Sequence, residues 1–365
     1  MIKSKKKILI ATGGTGGHVF PAYSLAKHFI KNKLSVDIVT DKRGFEFLKN
    51  YEDVQLKIIN SSTIFKRNPL NIIVSLVQIK IAFIRALFFL FKSKPKIVFG
   101  MGGYSSFPVC IASKILNIPF IIYENNLVIG KANKFLLPIA HKLFVSFLEL
   151  EGVKSKHENK KVKIGNIIRE EIFNFNQSNY ISEKNFLSIL VLGGSQAAKS
   201  FAEKLPKIFE ECVNEGINLK IYQQCLSSQK AELYKKYKLL KIKFELFNFK
   251  QNISKYFSEI DLVITRSGSS MLAELLNCKV PFISVPFPYA ADDHQLKNAK
   301  YFKEKGYGFL IREDEIKTNL FPLIKSIHND KALLGEVRKK QNVYSDKSVF
   351  ENINSQIRNL INEQH

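Results

Sequence analysis

The stretch KILIATGGTGGHVFPAYSLA, residues 7–26, carries a short apolar run, Ile8–Ala11, straight into four glycines and a histidine. The run reads as a strand, the glycines as a loop, and the residues from Val19 onward as the opening turns of a helix. Two well-known phosphate loops fail to match. A dinucleotide fingerprint needs a third glycine where Val19 stands, and a P-loop needs a lysine that does not come until Lys27. What remains is general physics. Glycines let the backbone approach a ligand closely, and the start of a helix offers N–H groups and the positive end of its dipole. His18 lies where that helix begins, so its imidazole faces the same crevice. A lone histidine is often structural, but the carboxyl edge of an open α/β sheet is where such folds bind ligands.

Working outward, the apolar runs Ile8–Ala11, Val36–Thr40, Ile97–Phe99 and Phe120–Tyr123 each alternate with a helix-length segment. That order predicts parallel strands joined by crossover helices. The rhythm restarts at FLSILVLGGSQAAKS, residues 186–200, and continues through DLVITRSGSS and VPFISVPFP. Two Rossmann-like α/β domains facing a cleft are therefore expected. The polar stretch KSKHENKKVKIGN, residues 154–166, places the boundary between a domain over 1–160 and one over 161–343. Residues 344–365 read as a terminal helix. A second glycine turn, IVFGMGGYSSFP over 97–108, sets Gly102, Gly103 and Tyr104 either along the same edge of the first domain or in a plain turn with a capping serine.

Composition narrows the class. A chain of 365 residues, 45% apolar and 24% charged, is globular and too long for one ordinary core. Its 56 Lys and Arg against 32 Asp and Glu, net +24, point to an anionic partner: nucleic acid, anionic lipid or a phosphorylated substrate. Four widely spaced cysteines make neither a metal site nor a disulfide frame and suit a reducing compartment. The apolar run near the N-terminus is too short for a signal peptide.

The second half carries its own chemistry. Gly193, Gly194, Ser195 and Gln196 sit at a strand-to-helix junction, where a hydroxyl and backbone amides can hold a diphosphate. RSGSSMLAE then puts Arg266, Ser267 and Gly268 before a helix containing Glu274, a carboxylate suited to two adjacent ribose hydroxyls or to a solvated helix face. Downstream of Pro286 and Pro288, His294, Gln295 and Asn298 are neutral hydrogen-bonding groups of the kind sugar hydroxyls require.

Taken in order, GGTGGHVFP, GMGGYSS, YENN, IGNIIR, GGSQ, RSGSSMLAE and PFPYAADDHQLKNA span nearly the whole chain and closely resemble the MurG family. These are the N-acetylglucosaminyltransferases that convert lipid I to lipid II in peptidoglycan synthesis. The resemblance implies a GT-B fold with UDP-GlcNAc held mainly by the C-terminal domain, and a last helix that packs back on the N-terminal one. It further implies that Thr15, Gly16, Gly17 and Asn126 approach sugar and diphosphate, with Tyr104 lining the same edge. Arg169 and Ser195 neutralise the diphosphate, and Gln196 belongs to the same loop. Ser269, Ser270, Met271, Leu272, Ala273 and Glu274 hold the nucleoside, with Glu274 on the ribose. Gln295 contacts the GlcNAc, and Lys250 or a neighbour fills a backbone-contact position for uracil. Ala197 stands where the family usually has glycine, and Tyr123 and Asn125 differ from the common HEQN.

Inverting transfer from a UDP-sugar needs a base at the acceptor hydroxyl, for which His18 is the first candidate, with a purely positioning role as the other reading. Arg169, Ser195 and helix amides take up the departing charge, so neither a metal nor a cofactor is expected; Asp292 and Asp293 are adjacent and make no DxD. The lipid acceptor finds a counterpart in residues 69–96, an apolar run broken by Asn71, Gln78, Lys80 and Arg85 and followed by lysines. It reads as a peripheral helix on the cytoplasmic face of the inner membrane, with Phe88, Phe89, Leu90 and Phe91 entering the headgroups and lysines meeting anionic lipid, or as a buried domain helix. Cell-wall synthesis proteins are further possible partners under the resemblance. Nucleic acid is not expected, because no recognition motif accompanies the charge. A UDP-sugar epimerase on the same scaffold is the competing enzyme.

Overall fold

The computed structural model describes residues 7–62, 69–175, 185–194, 199–250 and 252–362. The chain divides into two compact units, Met1–Arg169 with Asp346–His365, and Glu170–Ser345.

The first unit is built on β1 (Lys7–Ala11), β2 (Ser35–Thr40), β3 (Gln55–Ile58), β4 (Ile97–Gly100), β5 (Phe120–Glu124), β6 (Lys142–Val145) and β7 (Lys161–Lys163). All pair in parallel in the order β3-β2-β1-β4-β5-β6-β7. The crossovers are α1 (Gly16–Lys31), α2 (Lys42–Leu48), α3 (Pro69–Ser93), α4 (Ser106–Ile115) and α5 (Lys131–Leu136). The central strands β1, β4 and β5 are buried along nearly their whole length, which is why they read as unbroken apolar runs and not as alternation. The unit extends to Arg169, past the expected residue 160, because the backbone after β7 keeps bonding into it: Ile164 N–H to Val145 O at 3.0 Å and Ile167 N–H to the Tyr123 hydroxyl at 3.0 Å.

The second unit opens with α6 (Glu170–Phe173) and repeats the plan with β8 (Leu187–Leu192), β9 (Leu219–Gln224), β10 (Lys243–Phe247), β11 (Leu262–Thr265), β12 (Phe282–Ser284) and β13 (Phe309–Leu310). These too are parallel, in the order β10-β9-β8-β11-β12-β13. Its longer helices are α7 (Lys199–Asn214), α8 (Ser227–Leu239), α9 (Ser269–Asn277), α10 (His294–Glu304), α11 (Phe321–Asn329) and α12 (Ala332–Asn342). The last helix, α13 (Val349–Asn362), belongs to the first unit. Its buried stripe is Val349, Ile353, Ile357 and Leu360, and Asn354 and Phe350 meet His28 of α1, the latter by ring stacking at 4.3 Å.

Helix α3 has two faces. Ser75, Ala82, Ala86 and Leu90 are fully buried, while Ile73, Val74, Leu76, Val77, Ile81, Ile84, Phe88 and Phe91 are exposed, Phe88 at 74%. Residues Ile72–Ser93 are long and apolar enough to cross a bilayer, with a mean hydropathy of 2.1. Of the four residues expected to reach lipid, Leu90 instead fills the core and Phe89 packs against it, since an i, i+4, i+8 row from Ala82 must face inward together.

Candidate active site

Both sheets have the strand order of a doubly wound fold, whose ligand crevice opens at the carboxyl ends of the two strands where the order reverses. In the first unit those strands are β1 and β4, and Ala11 lies beside Gly100 in register. The loops that leave them, Thr12–Thr15 and Met101–Ser105, interlock: Met101 N–H bonds Ala11 O at 2.8 Å, and a Cβ on Gly103, at φ +78, would run into the carbonyl of Gly13. At Gly102, φ +90, a Cβ would lie 2.6 Å from Nδ1 of His18. The second glycine turn is thus the surface against which the His18 ring rests, so the edge reading holds for it and not the plain-turn reading.

Helix α1 starts with Thr15 at its N-cap, whose carbonyl accepts from His18 N–H at 3.1 Å and Val19 N–H at 3.2 Å. Pro21 lies four residues after Gly17 and has no N–H to give its carbonyl. The side-chain amide of Asn125 supplies a donor instead, at 3.2 Å. Next to it, the buried carboxylate of Glu124 accepts from Asn126 N–H (3.2 Å), Asn126 Nδ2 (2.9 Å), Gly130 N–H (2.8 Å) and Asn133 Nδ2 (3.0 Å). Asn126 is held in place by that carboxylate. Thr15, Gly16, Gly17, His18, Tyr104 and Asn126 therefore gather at one end of the first sheet. Arg169, where the unit ends, places its guanidinium 5.9 Å from the Phe20 ring of α1.

In the second unit the reversal falls between β8 and β11, with Leu192 beside Thr265. Ser195 and Gln196 lie outside the described residues. After β11, Arg266 is almost enclosed: it pairs with Glu313, bonds Val285 O and Pro286 O at 3.3 Å and Ser200 Oγ at 3.0 Å, and lies over the rings of Phe201 (4.7 Å) and Phe287 (5.4 Å). It ties the start of α7 to the Pro286 loop. Helix α9 begins with Gly268 at its N-cap, and Leu272 N–H closes its first turn on Gly268 O at 3.1 Å. The amides of Ser269, Ser270 and Met271 thus stand at the positive end of the helix.

Within the expected nucleoside segment, Leu272 and Ala273 are 0% exposed, so their side chains belong to the core and any ligand contact there is through backbone. Glu274 is 4% exposed. Asn298, fully buried, donates to Ser267 O at 3.2 Å and so braces the loop before α9. Gln295 accepts the Phe287 N–H at 2.9 Å, which ties its oxygen to the Pro286 loop. The Nδ1 of His294 lies 2.7 Å from Ala291 O, an acceptor only, so Nδ1 carries a proton and Nε2 is the nitrogen turned to other partners.

The side chain of Lys250 is taken up within the unit. Its ammonium bonds Glu245 Oε1 at 2.6 Å and the Tyr256 hydroxyl, and lies 4.8 Å from the Tyr256 ring centre. Donating this hydrogen bond to Glu245 raises the pKa of Lys250 and, in return, lowers that of Glu245. A contact with a nucleobase at this position falls to the backbone. Glu124 and Asn125, which lie within YENN but were given no role there, organise the first-unit edge; the Gly17-to-Pro21 spacing was the one signal that an outside donor was needed.

Two doubly wound parallel units, each with a glycine-rich loop and a helix start at its switch point, make the GT-B fold, the architecture of a large class of glycosyltransferases. Residues 8–145 match the glycosyltransferase family 28 N-terminal domain and residues 188–356 its C-terminal domain. The UDP-N-acetylglucosamine--N-acetylmuramyl-(pentapeptide) pyrophosphoryl-undecaprenol N-acetylglucosamine transferase of Pelagibacter ubique is 36% identical over 98% of this chain and 99% of its own. The protein of that name from Francisella tularensis is 31% identical over the full length of both. Among solved structures, MurG of Acinetobacter baumannii superposes with a TM-score of 0.77 at 24% identity, covering 97% of this chain and 99% of that one. The UDP complex of MnaA from S. aureus shares the fold at a TM-score of 0.69 and 17% identity, covering 98% and 97%. The chain belongs to glycosyltransferase family 28, and within it to the MurG group.

Proposed function

We propose that this chain is an inverting glycosyltransferase that moves GlcNAc from UDP-GlcNAc to the C4 hydroxyl of MurNAc in lipid I, giving lipid II. The observation that carries the reading is the 36% identity along 98% of the chain to a relative named for that transfer. In the second unit, the amides at the start of α9 and the Gly193–Gly194 turn, with Ser195 and Gln196, hold the diphosphate. Glu274 accepts from the ribose hydroxyls, and the Gln295 NH2 group and His294 Nε2 serve the hydroxyls of GlcNAc. In the first unit, His18 takes the proton of the acceptor hydroxyl as its oxygen forms the new bond to C1. The bond from C1 to the diphosphate breaks with inversion, and UDP leaves with its charge met by Arg169 and helix amides.

The acceptor's lipid gives α3 its role. Each large apolar side chain left in water forfeits roughly 1.5–3 kcal/mol of transfer free energy, and eight stand exposed along one helix, followed by Lys92, Lys94 and Lys96. We read this face as a peripheral membrane contact on the cytoplasmic side, with the lysines on anionic headgroups.

The test is UDP release by the purified chain with and without a lipid I analogue, with epimerised and hydrolysed sugar followed in the same reaction. Acceptor-dependent release supports the transferase, whereas epimerisation of UDP-GlcNAc without acceptor supports the competing epimerase. Flotation with anionic vesicles tests α3: Phe88→Glu with Phe91→Glu is expected to abolish binding while transfer to a short-chain soluble acceptor persists.

A further inference from the structure

We propose that Asp41 is a positioning residue for transfer, holding the first glycine loop in the shape that sets His18; the inference rests on the functional reading above. Asp41 follows β2 and caps α2, with Oδ1 accepting the Gly44 N–H at 2.7 Å. A cap needs no more than that. The same carboxylate also takes the N–H of Gly14, 27 residues earlier, at 3.2 Å on Oδ1 and 3.0 Å on Oδ2.

The loop runs from Thr12, whose N–H is tied to Val39 O at 2.9 Å, to Thr15, whose carbonyl opens α1 and takes the His18 N–H. The Thr12 hydroxyl is buried and makes no hydrogen bond among the described residues, so none of them fixes the loop through it. Between these points the Asp41 carboxylate grips Gly14 and packs on Gly13, where a Cβ would come within 3.0 Å of Oδ2. A shift at Gly14 passes through Thr15 into the first turn of α1, and so into a His18 ring that has Gly102 as its wall. A carboxylate beside a loop that receives an anionic substrate adds repulsion and not binding, so its contribution is to geometry.

Three variants separate this role from plain helix capping. Asp41→Asn keeps Oδ1, the oxygen that already serves both Gly14 and Gly44. Asp41→Ser keeps a cap for Gly44 but is one atom too short for Gly14. Asp41→Ala loses both. In the lipid I assay, Asn is expected within about threefold of wild-type kcat, and Ser and Ala ~10- to 100-fold lower, as for sub-ångström misplacement of a reacting group, with KM for UDP-GlcNAc within about twofold. Asp41→Ser should melt with the wild type. Independently of turnover, the His18 imidazole resonances of histidine-labelled protein, assigned with His18→Gln, should move in Asp41→Ser and stay in Asp41→Asn. Unmoved resonances in Asp41→Ser overturn the proposal, whether or not transfer is seen. Wild-type kcat in Asp41→Ser overturns it too, and leaves the transferase reading intact. A wild type that transfers nothing to lipid I overturns the transferase reading alone, and the resonances still decide the role of Asp41.

Discussion

Gly102→Ala perturbs the first-unit site without replacing any titratable residue. At φ +90 an alanine is strained, by ~1–2 kcal/mol for an L-residue in the left-handed region. Its Cβ would also stand 2.6 Å from His18 Nδ1, so the ring must retreat by about 0.8 Å to reach an ordinary 3.4 Å contact. Displacements of ~1 Å at a reacting group cost ~100-fold, so kcat should fall ~30- to 100-fold. The backbone strain should lower the melting temperature by ~2–8 °C for a unit of this size. Gly335→Ala is the control for stability, because it lies inside α12, away from both glycine loops, and nothing among the described residues lies within 4 Å of its Cβ. The assay is steady-state transfer to a lipid I analogue by both single variants and by His18→Ala with and without Gly102→Ala. If the glycine acts through the histidine, adding Gly102→Ala to His18→Ala should cost no more than about threefold. Wild-type kcat in Gly102→Ala, or the full loss repeated on the His18→Ala background, would refute the reasoning.

Other consequences are as direct. Glu274→Ala should raise KM for UDP-GlcNAc ~10-fold or more while kcat at saturation falls less, the pattern of a lost donor contact; equal loss in both would move Glu274 to the chemical step. Asp346, 3% exposed, accepts from Asn166 N–H at 2.9 Å and Asn166 Nδ2 at 3.3 Å. Asp346→Ala should therefore cost ~1–3 kcal/mol in denaturant unfolding, the penalty of stranding buried donors. Burial pushes the hydroxyls of Tyr123 and Tyr237 well above the ordinary 10. Above pH ~10 the unfolded chain releases these protons and the folded chain keeps them, so stability should fall as pH rises. Denaturation midpoints between about pH 8 and pH 11 should fall less steeply in Tyr123→Phe, and parallel slopes would contradict the assignment.

Much of the fold was legible because parallel strands buried on both faces must be continuously apolar, as Leu9, Val98 and Ile121 are. The site was legible where it sits on backbone: glycine followed by a helix start marks a switch-point loop in each unit. It was obscure where long-range side-chain pairing decides. Lys250 looks available in the chain but is claimed by Glu245 and Tyr256, which only the fold brings to it. Asn125 and Gly17 stand 108 residues apart, so the spacing to Pro21 could show that a donor was missing but not which one. The inward turn of Leu90, Leu272 and Ala273 was within reach of helical periodicity; a motif read as a continuous string hid it.

The most direct measurement of the central claim is the anomeric configuration of the disaccharide formed from UDP-α-GlcNAc and a lipid I analogue, read from the H1 coupling of the new sugar by NMR. The account predicts a β-linked GlcNAc on C4 of MurNAc, formed only when the acceptor is present. An α-linked product, or UDP-ManNAc or free sugar in place of disaccharide, would contradict it.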